Sequence, residues 1–121
     1  MKGENMAEVK WLDRPEEQDY PAAQNYLELI YSPQSASIIV DQLKKAPISH
    51  FKAKDILRAS GLSRLGISNS HVDKDRDKIN KEKPLSPLLL LRDYKNGKVH
   101  IADGYHRMCA VYSVDEDATI P

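Results

Sequence analysis

The stretch PLLLLRDYKNGKVHIAD, residues 87–103, narrows the choice of fold more than any other part of the chain. Residues 87–94 form a continuous apolar run of strand length, the pattern of a strand covered on both faces. Lys95-Asn96-Gly97-Lys98 follows, with Asn-Gly at its centre, the strongest short-range hairpin signal. Residues 99–103 answer as the returning strand. Cover on both faces has to come from helices, so the expected fold is α+β or α/β, a small mixed sheet flanked by helices.

The helices that supply the cover are marked by caps and periodicity. Pro21 suits the first turn of a helix through PAAQNYLELIY, with Tyr26, Leu29 and Ile30 at helical spacing. Ser32 caps a second helix with Pro33 at its first position, and Ile38, Ile39, Leu43 and Ala46 form its stripe before Pro47 ends it. Residues 48–52, ISHFK, alternate as a short strand. Residues 53–60 read as a short helix closed by Gly61, residues 62–70 as a loop, and residues 71–83 as a charged surface helix with only Val72 and Ile79 apolar. A last helix over 104–114 places Tyr105, Met108, Cys109 and Tyr112 on one face, and ATIP opens another strand.

With 121 residues, one compact domain is expected: an arm over 1–19, in which Trp11 and Leu12 can anchor to a surface, and a single domain over 20–121. The one cysteine, Cys109, excludes an internal disulfide and a Cys-based zinc site, and points to the cytosol. The N-terminus is polar, with no apolar core of a signal peptide or membrane span. Net charge is zero but unevenly spread. Residues 42–98 hold 14 basic and 6 acidic groups, against 3 and 8 in residues 1–41 and 1 and 4 in residues 99–121. Such a basic segment suits an anionic partner, or is compensated by the chain's own acidic arm.

The chemistry concentrates in IADGYHRMCAVY, residues 101–112. A strand turning through Asp-Gly into a helix leaves the first helical N–H groups without intrahelical partners, and these donors with the helix dipole favour a phosphate. Gly104 lets the backbone approach closely, His106 adds a ring donor, and Arg107 adds a forked cation suited to phosphate oxygens. Asp103 is the carboxylate placed to hold a magnesium ion or a water beside such a ligand. The same residues also make a closed junction, with Asp103 as N-cap and Arg107 paired to Asp103 or to the acids at 115–117.

PLLLLRDYKNGKVH followed by IADGYHRMCAVY resembles the core of the ParB/sulfiredoxin superfamily, the small stand-alone bacterial type in particular, over about residues 48–120. In that family a hairpin strand enters a Gly-x-x-Arg turn that binds nucleotide phosphates. The resemblance implies a nucleotide, a nucleoside triphosphate with Mg²⁺, held at Gly104, Tyr105, His106 and Arg107. Sulfiredoxins carry Gly-Cys-His-Arg there and use that cysteine as nucleophile; this chain has Tyr105, and Cys109 lies a turn later on the core face, which disfavours sulfinic acid reduction. The chromosome-partitioning branch adds a helix-turn-helix domain and a dimerisation segment, for which this sequence has no residues. Relatives with nuclease or kinase activity leave nucleotide hydrolysis, phosphoryl transfer or DNA cleavage as the chemistry of any enzyme here.

Two further function classes stay open: a non-enzymatic interaction module that docks a protein partner through its basic face or arm, and a DNA-binding or DNA-cleaving protein. Against the latter, residues 74–83 mix both signs and lack interleaved aromatics. No metal site is expected from His50, His71, His100 and His106, whose spacings match no ligand pattern. His71 reads as a solvated helix start and His100 as a solvent-facing or site-rim strand residue.

Overall fold

The structure, a computed structural model, describes residues 9–63 and 69–121. In chain order the elements are α1 (Asp19–Leu27), α2 (Pro33–Lys45), β1 (Phe51–Lys52), α3 (Ala53–Ser60), α4 (Ser70–Asn80), β2 (Leu89–Asp93), β3 (Lys98–Asp103), α5 (Tyr105–Val114) and β4 (Thr119–Ile120). This is a small α+β fold. Its strands form two antiparallel ribbons, β1 with β4 and β2 with β3, rather than one mixed sheet. The strand expected at 48–52 shortens to two residues because residues 48–50 stay exposed after Pro47. The ribbons meet where the Leu88 N–H donates to the Pro121 carbonyl at 3.2 Å.

The β2–β3 hairpin is the wall between two apolar clusters. Leu88, Leu90 and Ile101 face one, with Ile56, Val72, Ile79, Met108, Val111 and Ile120. Leu89, Leu91 and Ala102 face the other, with Tyr20, Ala23, Leu27, Ala36 and Val40. Period-two alternation sends successive leucines to opposite sides, and each buried large side chain contributes about 1.5–3 kcal/mol. Cover on both faces also corrects the reading of His100. It is buried, its Nε2 3.2 Å from Asp93 Oδ2 and its ring 6.5 Å from that of Tyr26. The hairpin loop has four residues, since Asp93 pairs with Lys98. Asp93 ties that loop by accepting from the Asn96 backbone N–H and side-chain amide.

Helix ends follow their caps. Ser32 Oγ accepts from Ser35 N–H, Asn69 Oδ1 accepts from His71 and Val72 N–H, and Gly61 closes α3 at φ +70°. The first N–H groups of α3 donate to the Ala118 and Glu116 carbonyls, which fixes β4 against it. Faces are less faithful to the sequence. α1 ends at Leu27 and buries Tyr20, Ala23 and Leu27, while Leu29 and Ile30 are exposed beyond it. In α2 the inward positions are Ala36 and Val40, and Ile38 points to solvent. α4 stops at Asn80, short of the expected 83. The arm is anchored at the residues expected to anchor it: residues 10–12 lie beside Leu85, with Leu12 N–H donating to Leu85 O and Leu85 N–H to Lys10 O, both at 2.8 Å. Trp11 packs on the core there. Most of the loop expected at 62–70, and residues 1–8, lie outside the described residues.

Candidate functional site

The strand-to-helix turn is built around Gly104, which occupies the N-cap position of α5 at φ +106°. A side chain is excluded there twice over. A β-carbon would lie 2.7 Å from Leu88 Cγ and 2.9 Å from Arg107 Nη2, and the dihedral itself belongs to glycine. Among the described residues no side chain caps α5. Asp103, expected as the cap, instead turns its carboxylate to Arg107, Oδ2 to Nη2 at 2.9 Å.

Arg107 is held from several sides. Its Nε donates to Ser86 O at 2.9 Å and its Nη2 to Pro87 O at 3.3 Å, and Asp19 Oδ2 stands 4.0 Å from Nη2. Asp19 in turn accepts from the Ser86 hydroxyl and from Glu16 N–H. The guanidinium therefore joins the start of α1, the lead-in to β2 and the end of β3. Its fork is aimed inward, at acceptors of the chain itself. Burial raises the Asp103 pKa, and Asp19 beside it adds to that, against the opposing pull of Arg107.

His106, on the first turn of α5, meets His71 from the start of α4 with ring centroids 4.8 Å apart. The Tyr105 ring lies 5.7 Å from His106, and its hydroxyl donates to Ser63 O. Burial and then His71 lower the His106 pKa, with Asp75 opposing. Asp75 is itself raised by burial, and Lys78, Arg107, His106 and His71 pull it back. Sequence separation hid this meeting of α4 and α5. Among the described residues no group of three or more His, Cys, Asp or Glu side chains is placed to hold a metal ion.

A second feature lies along the other side of Leu88. A groove of about 790 Å³ runs between the end of α2, residues 46–49, β1, α3 and β2, and reaches Val99 of β3. Its size is that of a ligand site. Leu43, Ile48, Phe51, Ile56 and Leu88 to Leu90 give it an apolar floor. Arg14, Lys44, Lys45 and Arg92 stand around it, with Asp55 the one acidic lining residue among those described. Lys44 sits 5.5 Å over the Tyr20 ring, and Arg92 sits 5.9 Å over the Phe51 ring. Three of these four cations belong to the basic segment 42–98, the one sequence signal that pointed here.

In comparisons with protein-family models, curated proteins and solved structures, nothing matches this chain. No helix among the described residues is long and apolar enough to cross a membrane. Fold and geometry together define a small α+β protein with an internally braced glycine turn and a basic-rimmed apolar groove.

Proposed function

We propose that the protein is a non-enzymatic interaction module of ParB-like type that docks an anionic, partly apolar partner in the groove beside β2. The observation that carries this reading is the contrast between two cationic places. At the turn, Arg107 is engaged by Ser86 O, Pro87 O and Asp103. In the groove, four cations face one carboxylate over an apolar floor that a partner would cover. The test uses 1-anilinonaphthalene-8-sulfonate as an apolar anion. One saturable site on the native protein is expected, weakened at least tenfold by Lys44→Glu with Arg92→Glu and by added salt. Absence of saturable binding, or indifference to the charge reversals, refutes the reading.

A second reading keeps a phosphate-bearing ligand, a nucleoside triphosphate with Mg²⁺, at the turn. It rests on the start of α5, where no side chain among the described residues caps the first N–H groups and the rings of Tyr105 and His106 lie on the first turn. Melting temperatures with common nucleotides, with and without magnesium, test it. A rise that His106→Ala reduces supports it, and no rise with any nucleotide or inorganic phosphate overturns it.

A further inference from the structure

We infer that the groove's partner is an extended peptide, apolar at alternate positions and acidic at its ends, which adds to β2 as a third strand. The inference rests on the groove reading above and specifies its occupant.

Its ground is the backbone of β2. Among the described residues, Leu89–Asp93 pairs with β3 on one edge, and no backbone hydrogen bond joins its other edge to any segment. In an antiparallel pair, alternate residues aim N–H and C=O away from the partner strand. Five residues thus offer an open edge about 17 Å long. Such edges are normally shortened, covered or charged, and here Leu89 to Leu91 lie along it, with Arg92 and Asp93 as the charged residues at its end. Consecutive residues, Leu88, Leu89 and Leu90, line the groove. Because neighbours on a strand face opposite sides, a groove that all three touch takes in the edge of β2, and it extends from there to Val99 of β3, the partner of Arg92.

The chain already shows that extended backbone fits there. At the end of this edge Leu88 N–H donates to Pro121 O, which follows β4. A peptide continuing along that line would meet the Leu90 to Arg92 edge. Its alternate apolar side chains would cover Ile48 and Phe51, which are 41% and 40% exposed. Its acidic ends would meet the cations around the groove, Arg14, Lys44, Lys45 and Arg92. Main-chain bonds supply affinity in this mode, and the alternate side chains supply selectivity. A compact anion would match the charges but leave the edge unpaired.

The probe is a fluorescent nine-residue peptide with valine at alternate positions and aspartate at both ends, read by anisotropy and by amide exchange. Saturable binding is expected, with new protection at alternate amides of Leu89–Asp93. Methylating two alternate backbone nitrogens of the peptide, which leaves the protein untouched, should weaken binding at least tenfold. If the methylated peptide binds equally well, strand addition is refuted while the groove reading stands. Strand addition is likewise refuted, and the groove reading kept, if the peptide fails but the anilinonaphthalene probe binds. Failure of both ligands refutes the groove reading itself. Self-association in sedimentation that buries the same amides and that peptide cannot displace makes a second copy the occupant and overturns the inference.

Discussion

Replacing Gly104 with alanine tests the account of the turn most directly. At φ +106° an L-residue is strained by about 1–3 kcal/mol. The new methyl must also displace Leu88 Cγ, 2.7 Å away, and Arg107 Nη2, 2.9 Å away. Overpacking of this kind costs about 1–3 kcal/mol, and a guanidinium moved off Pro87 O or Asp103 adds about 1 kcal/mol or more. The sum is about 3–7 kcal/mol, a large share of the roughly 5–15 kcal/mol that stabilises an ordinary domain. Urea unfolding followed by far-UV circular dichroism should show the midpoint falling accordingly, and Tm falling by about 10 °C or more. A double-mutant cycle separates the causes. Leu88→Ala alone destabilises by about 2–5 kcal/mol through a cavity, but in the Gly104→Ala background it makes room for the methyl. The double variant should therefore be at least about 1 kcal/mol more stable than additivity requires. A Gly104→Ala protein within about 0.5 kcal/mol of the parent, or strict additivity in the cycle, would refute the proposed packing of Leu88 and Arg107 beneath the turn.

Other expectations follow from the same network. Arg107→Lys should cost about 2–4 kcal/mol in urea unfolding, because one ammonium cannot serve Ser86 O, Pro87 O and Asp103 together; a loss under about 0.5 kcal/mol contradicts the bracing role. Asp103 has a raised pKa, so its contribution to stability is fully present below its ordinary 3.8 and is lost as pH rises through its folded-state value. Asp103→Asn should flatten the stability curve in that window, measured as urea midpoint against pH. His106 runs oppositely: with its pKa lowered from 6.5, folding favours the neutral ring, and stability falls as pH drops from 6.5 towards the folded value. His106→Gln should remove that loss. Cys109 is fully buried, so a thiol reagent should react only as fast as the protein opens, and its rate should rise with urea; rapid labelling of the native protein contradicts the packing of α5.

Local chemistry is the legible part of the chain. Ser32 and Gly61 act within a few residues of themselves and stand where their chemistry puts them. The hairpin forms where Asn96-Gly97 marks it, but through a four-residue loop, 94–97, in which Gly97 and not Asn96 takes a positive φ. Faces are harder. In α1 the large residues Leu29 and Ile30 look like the stripe, yet no Gly or Pro marks the helix end at Leu27, and small Ala23 makes the close contact instead. The burial of His100 is within reach of the sequence: if four leucines need cover on both sides, the strand bonded to them is covered on both sides too. Alternation with Val99 and Ile101, taken alone, turns it to solvent instead. Asp103 has the chemistry of a cap, but the nearer attraction of Arg107 one turn on prevails. The partners of Arg107 at Asp19 and Ser86, and of His106 at His71, are set by tertiary folding and leave no mark in local pattern.

The alternating leucines of β2 bear on how the molecule comes apart. Because Leu88 and Leu90 belong to one cluster and Leu89 and Leu91 to the other, α1 and α2 cannot peel away without baring a face of the strand on which α5 also depends. The two halves share their fate through a party wall one residue thick. Unfolding should accordingly be a single cooperative event, with the amides of α2 and α5 exchanging at a common rate even though the helices lie on opposite sides of the hairpin.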